Sequence, residues 1–209
     1  VIILKSALSA AIALLAISLV SSPALAQPGS AESGQGKVAV CLACHGQSGN
    51  DSLLPNVPKL GGQGEKYLLK QLQEIKSGIR AAPLMTGMLN AMNEQDLADI
   101  AAYYASLDAP QGAADPEKLA LGEKLWRAGH AGIGVPACSA CHAPNGLGND
   151  EAGYPALSGQ DVIYTETQLR AFRAGERNND EAEVMRTISA RLNDAEIAAL
   201  ASYAAGLRQ

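Results

Sequence analysis

The chain has 209 residues, 47% hydrophobic and only 4% aromatic, with 18% charged, 21 glycines and 10 prolines. That suffices for two small domains, and it excludes a disordered chain, a collagen-like repeat and a multi-span membrane protein. The formal charge of −5, with the 16 Lys and Arg dispersed and never in a run, argues against nucleic acid as a partner.

Lys5 precedes an apolar stretch, Ala7 to Val20, and then Ala24-Leu25-Ala26, a small-x-small cleavage site. Residues 1–26 therefore read as a secretory signal peptide; an uncleaved N-terminal anchor is the alternative, although the apolar run is short for a spanning helix. Cleavage after Ala26 leaves a chain from Gln27 with 15 basic and 21 acidic residues, at work outside the cytoplasm.

Ser30 or Ser33 is placed to start a first helix leading into Cys41. The segment Cys41-Leu42-Ala43-Cys44-His45 follows, and Cys138-Ser139-Ala140-Cys141-His142 matches it in the second half. This is the attachment motif of c-type haem, twice. Two thiols separated by two residues reach the two vinyl groups of one porphyrin edge, and the adjacent His lies under the iron. A zinc ribbon needs its two Cys pairs about 15–20 residues apart, whereas 93 residues separate Cys44 from Cys138. A redox dithiol remains as the other reading, although nothing in it requires a His after each pair.

A second helix is predicted over Glu65 to Ser77, ended by Gly78, and its counterpart over Val162 to Ala174, ended by Gly175. A third begins at Asn93 with Asp96, and again at Asn193 with Glu196. Both pairs resemble capping boxes ahead of apolar stripes at Leu97, Ile100, Ala101, Tyr104 and at Ile197, Leu200, Ala201, Ala204. Between the halves, Asp115 and Pro116 are expected to cap a helix running to Trp126. His130 lies in a glycine-rich insert, Ala128 to Gly134, and reads as an exposed loop residue or, alternatively, a ligand or proton-linked site. No strand-like alternation occurs, so the class is all-α.

The chain is an internal duplication. Cys41, Cys44, His45, Pro58, Leu60, Gln63, Tyr67, Gln71, Leu72, Gly78 and Arg80 recur 97 residues later; Met85, Asn93, Ala101 and Tyr103 recur 100 residues later. Domains are thus expected at 27–109 and 110–209. The same register selects the sixth iron ligand. Of Met85, Met88 and Met92, only Met85 has a methionine counterpart, Met185, while Met88 maps to Ile188 and Met92 to Leu192. Core packing is the other role open to Met85. The ligand pairs are then His45 with Met85 and His142 with Met185, a ligation that raises the reduction potential.

These residues resemble the di-haem class I cytochromes c of the cytochrome c4 type. The resemblance runs through Pro58 to Gln63, Tyr67-Leu68, Gly78 to Arg80, Met85 and Tyr103, then Pro155 to Gln160, Tyr164, Gly175 to Arg177, Met185 and Tyr203. Thr165 replaces the Leu after the second Tyr, and Ala143 stands where the first half has Gly46. The resemblance implies two tandem class I cytochrome c domains related by a pseudo-two-fold axis, with two covalently bound haem c groups, a linker over Asp108 to Pro116, and propionates near the interface. It also implies a periplasmic electron carrier, not an enzyme, that takes electrons from a donor such as a quinol-oxidising complex and passes them to a terminal oxidase, with possible peripheral membrane association.

By the same resemblance, Pro58 and Pro155 offer their carbonyls to the Nδ1 proton of the ligand His; a rigid turn is their other role. Arg80 and Arg177 are candidates to pair with propionates, or are solvated surface arginines, and Tyr67 and Tyr164 either join them or are core aromatics. Two other functions are weighed. The cytochrome subunit of a flavocytochrome dehydrogenase fits the same sequence, whereas a di-haem peroxidase needs an openable iron that nothing here marks.

Overall fold

The computed structural model describes residues 27–52 and 54–208; the expected signal peptide lies outside the described residues. Among these the helices are α1 (Ala31–Gln35), α2 (Leu42–His45), α3 (Glu65–Lys76), α4 (Glu94–Ala105), α5 (Leu119–Ala128), α6 (Ser139–His142), α7 (Val162–Ala174), α8 (Val184–Ser189) and α9 (Asp194–Gly206). The only extended pairings among the described residues are two isolated bridges, His130 with Val135 and Asn149 with Tyr154. In the first half α1 and α3 pack on α4; in the second, α5 and α7 pack on α9.

Local chemistry sets the boundaries. The Asn93 and Asn193 side chains accept from the backbone N–H of Asp96 and Glu196, whose carboxylates accept in return from the Asn N–H, so both expected capping boxes close. Gly175, at φ +74, ends α7 by donating to Phe172 O. Ser30 caps α1. The helix expected from Asp115 begins later, at Leu119. Asp115 Oδ1 instead accepts from Glu117 N, and Lys118 N donates to Asp115 O, so the Asp-Pro pair builds a turn that feeds α5.

Each half closes on one helix crossing that only glycine permits. A Cβ on Gly34 would lie 2.0 Å from Asp99 O and 2.7 Å from Tyr103 Cβ, and one on Gly122 would lie 2.5 Å from both Ala199 O and Tyr203 Cβ. Asp99 and Tyr103 match Ala199 and Tyr203 at the offset of 100, but Gly34 and Gly122 are only 88 apart, because the second half carries nine more residues before its cysteines. At this register Val38 corresponds to Trp126, and Tyr104 corresponds to Ala204. All four are buried in the two cores. One large aromatic thus fills each crossing, from the C-terminal helix in the first half and from the N-terminal helix in the second, which conserves core volume.

The first crossing is also ionic. Lys37 Nζ lies 2.6 Å from both Asp96 and Asp99, and Asp99 further accepts from Ser30 N and Gln95 Nε2. The Lys37 hydrogen bond, then those from Ser30 and Gln95, hold the Asp99 carboxyl down to about 2. A carboxyl depressed by folding contributes stability at pH values above its ordinary value of 3.8, and that contribution is lost as pH falls through about 2. The first domain is therefore predicted to lose stability between about pH 4 and pH 2, and Asp99→Asn to remove that part of the acid dependence. Thermal unfolding at pH 5, 3 and 2 measures this, and identical profiles for the two proteins contradict it.

His130 lies in a loop with its side chain 42% exposed, as expected, and is also tethered there. Its Nδ1 sits 3.1 Å from Oε1 of Glu196, the capping-box carboxylate of α9, so the insert docks on the start of that helix.

The interface between halves pairs its central glutamines reciprocally, about a pseudo-two-fold axis. Gln63 Nε2 donates to Ala156 O at 2.9 Å while its Oε1 accepts from Ala156 N at 2.7 Å. Gln160 does the same to Lys59, at 2.9 and 2.8 Å. Each glutamine replaces a backbone partner for one residue of the other half, which satisfies groups that the interface would otherwise leave buried and unpaired. Matched glycines let the connecting segment through: a Cβ on Gly62 would meet Ala109 Cα at 2.5 Å, and one on Gly159 would meet Pro110 O at 2.1 Å.

Candidate haem sites

In each half Cys, Cys and His occupy one turn of helix. His45 N donates to Cys41 O and His142 N to Cys138 O, so positions i, i+3 and i+4 present both sulfurs and the imidazole on one face. His45 and His142 are buried, and Nδ1 of each lies 2.9 Å from a proline carbonyl, Pro58 and Pro155. Burial pushes both imidazoles below their ordinary value, against the proline bond, which keeps them neutral. With Nδ1–H donated, the Nε2 lone pair is left for a metal.

The thiols are unpaired in both motifs. Burial raises Cys41, and it pushes Cys138 up to about 11. Raised in this way, the Cys41 and Cys138 thiols are poor nucleophiles, which disfavours the redox dithiol. Among the described residues no three His, Cys, Asp or Glu side chains converge as a metal site, so a zinc ribbon has no donor set here.

Met85 ends a single 3₁₀ turn, Pro83–Met85, and lines a cleft of about 330 Å³ with Arg80, Gly78, Thr86, Leu89 and Asn90. Met185 lies in the first turn of α8. Met88 is exposed, and Met92 packs against the first core. Before Met185 the second half has three extra residues, and two of its neighbours there, Ala182 (φ +50) and Glu183 (φ +58), adopt the left-handed conformation.

Arg80 and Arg177 are not solvated surface residues. Arg80 donates to Gln71, Tyr164 and Gln168, and Arg177 donates to Gln168, Tyr67, Gln71 and Asn179, so each reaches the tyrosine of the opposite half. All these acceptors are neutral oxygens. Burial opposes ionisation of Tyr67, but the charges of Arg177 and Arg80 prevail and hold its hydroxyl below the ordinary value. Of the side chains left without a partner, Arg80 fits an anionic group. Arg80 Nε is buried with no acceptor, as are the hydroxyls of Tyr104, packed against Cys41, and of Ser189, one helical turn after Met185. Two guanidiniums at a half-buried interface call for carboxylates, and haem propionates are carboxylates.

Ala143 follows His142 at φ +65 and ψ +154, in a region glycine favours and alanine enters at a cost of about 1–3 kcal/mol. Ala143→Gly is predicted to stabilise the second domain by about 1 kcal/mol, read by denaturant unfolding; a loss of stability contradicts the strain.

Two helical units, each with a thiol pair and a buried imidazole on one helical face, define a di-haem cytochrome c. The family model for cytochrome c matches residues 31–108 and again residues 119–207, and the chain belongs to this family. It is 54% identical over 189 residues to cytochrome c4 of Stutzerimonas stutzeri, covering 86% of this chain and 90% of the relative. The crystal structure of reduced recombinant cytochrome c4 from Pseudomonas stutzeri superposes with a TM-score of 0.84 at 54% identity, over 86% of this chain and 100% of that one. A thiosulfate dehydrogenase electron acceptor of Thiomonas intermedia is 34% identical over 195 residues, 91% of this chain and 89% of the relative. The chain is thus an electron-transfer protein of the cytochrome c4 kind with two covalently bound haem c groups. Among the described residues no helix is long and apolar enough to cross a membrane.

The two glutamine pairs, Gln63/Gln160 and Gln71/Gln168, are the functional residues that sequence reasoning left without a role. Their exact recurrence at 97 was the available signal, and only the fold shows that they act across the interface.

Proposed function

We propose that this protein is a periplasmic carrier, exported by residues 1–26, whose domains 27–109 and 110–209 each hold one six-coordinate haem. Cys41 and Cys44, and Cys138 and Cys141, anchor the two groups; His45 and Met85, and His142 and Met185, ligate the two irons. Bound haem supplies an iron that exchanges one electron between ferric and ferrous states. The observation that carries this reading is the matched pair of 2.9 Å bonds from His45 to Pro58 and from His142 to Pro155, together with a methionine at matched positions of both halves.

The protein's own residues then perform three tasks. Pro58 and Pro155 fix each imidazole in one tautomer and orientation, which keeps reorganisation on electron transfer small. Arg80, Arg177, Tyr67 and Tyr164, which meet across the interface, would offset the charge of bound propionates there. Buried cores around Tyr104 and Trp126 exclude water, which with the soft methionine sulfur favours the ferrous state.

Met85→Ala or Met185→Ala is predicted to open one iron, lower the potential of that haem and leave the spectrum of the other unchanged. The same outcome from Met88→Ala contradicts the repeat register.

The donor is a quinol-oxidising complex or another periplasmic reductant, and the acceptor a terminal oxidase. Residues 27–109 hold 6 basic and 8 acidic side chains, and residues 110–209 hold 9 and 13. Exposed Glu176, Glu181 and Glu183 crowd the approach to Met185, whereas Ile79 and Leu84 occupy the corresponding stretch before Met85. The less acidic first domain therefore faces an acidic partner. Association rates that do not change with ionic strength contradict this orientation. The likeness to a thiosulfate dehydrogenase electron acceptor favours one second reading, a relay subunit of a dehydrogenase, which co-purification of that enzyme tests.

A further inference from the structure

The segments Pro58 to Gln63 and Pro155 to Gln160 each carry two functions on adjacent atoms. In the second half, the peptide group between Pro155 and Ala156 accepts from His142 Nδ1 on its oxygen, at 2.9 Å, and donates from its nitrogen to Gln63 Oε1, at 2.7 Å. In the first half, the peptide group between Pro58 and Lys59 accepts from His45 Nδ1 at 2.9 Å and donates to Gln160 Oε1 at 2.8 Å. Each imidazole is therefore connected, through a single amide, to a glutamine that belongs to the other half. We infer that Gln63 tunes the haem of the second domain and Gln160 tunes the haem of the first, each in trans through the peptide that holds the opposite histidine.

An amide whose N–H is donated shifts electron density onto its oxygen, so the two hydrogen bonds of one peptide group strengthen each other, by about 10–30% per bond. A stronger bond at Nδ1–H gives the imidazole more anionic character and makes it a better donor to iron, which favours the ferric state. The glutamine thus lowers the potential of the opposite haem. Both glutamines are buried, and each is fixed by its second bond, from Nε2 to the carbonyl of the residue it clasps. The clasp cannot loosen without relaxing the peptide that orients the ligand. Electronic state at one haem and packing at the interface are linked by this route, with no movement of either domain required.

The inference rests on the ligand roles proposed for His45 and His142, and the test separates the two. In the reduced, diamagnetic holoprotein labelled with ¹⁵N-histidine, the Nδ1–H proton of each ligand histidine reports the strength of its bond. Gln63→Met, of similar shape but without an acceptor, should move the His142 Nδ1–H resonance upfield and leave that of His45 in place. The potential of one haem should rise, with the ferrous to ferric ratio at fixed potential increasing about threefold, which is about 28 mV for a one-electron couple at 59 mV per decade. Gln160→Met should act on His45 and on the other haem, and it supplies an independent test if the first variant does not load haem. Lys66→Ala removes a different contact across the interface, from Nζ to Glu151 O at 2.9 Å, and should move neither resonance. A shift in the variant's own domain, no shift in either, or an equal response to Lys66→Ala overturns the coupling. Failure to find the two Nδ1–H resonances on haem-bound histidines in the unmodified protein contradicts the ligand roles instead.

Discussion

Gly122→Val removes about 3 kcal/mol or more from the second domain, and Gly34→Val does the same to the first. A Cβ at either position lands 2.0–2.5 Å from a carbonyl oxygen of the partner helix, and backbone cannot turn aside as a flexible side chain can. The helices must separate, and the aromatic that fills each crossing, Tyr104 or Trp126, then loses its close contacts. Against a total domain stability of about 5–15 kcal/mol, the loss is a large fraction. Gly78→Ala provides the control. Gly78, unlike Gly34 and Gly122, has a positive φ, of 78°, but nothing within 4 Å of the added atom, so its cost is confined to backbone strain of about 1 kcal/mol. Denaturant unfolding followed through the haem absorbance measures all three, and equal losses at Gly78 and Gly122 contradict the crossing argument.

Arg80→Leu has the second large effect, a loss of about 3 kcal/mol with a lowered potential in at least one haem. The guanidinium bonds two glutamines and the tyrosine of the other half and keeps Nε, buried, for one more acceptor. With a haem propionate as the proposed further acceptor, its removal would leave that carboxylate buried and unpaired, which would destabilise the fold and favour the ferric state. Arg177→Leu follows the same logic, with an added loss of the contact to Phe172, whose ring lies 4.5 Å from the guanidinium carbon. Spectroelectrochemical titration together with thermal unfolding reads both terms. A raised potential, or unchanged stability, contradicts the role given to these arginines.

Much of this architecture is legible in the sequence because its determinants are local. Asn93 with Asp96 and Asn193 with Glu196 specify two helix starts by chemistry confined to four residues, and Gly175 marks the end of α7 through its own backbone. The Cys-x-x-Cys-His segments are likewise complete within one helical turn. Duplication adds a second comparison, which is how Met85 separates from Met88 and Met92. The features that escaped are those in which one residue acts on a distant one. Gly34 and Gly122 recur at 88 and not at 97, so the helix crossing is invisible to a fixed offset. Tyr104 and Trp126 exchange places between helices, and neither matches an aromatic at its own register. The start of α5 departs from the expected one because Asp115 and Pro116 carry a cap signature but build a turn. His130 gives no sign of Glu196 until the insert is folded against α9. Gln63 and Gln160 repeat at the same offset as the cysteines, but a glutamine that clasps backbone looks in sequence like one at the surface.

A carrier of this kind requires both irons to be closed by protein ligands. A carbon monoxide difference spectrum of the purified, dithionite-reduced protein at neutral pH tests it most directly, because this ligand reports any ferrous haem with an open sixth position. Two methionine-closed irons predict that neither haem binds it. Stoichiometric binding by one haem contradicts the account: one of Met85 and Met185 is then not a ligand, and a peroxidase-type site takes its place.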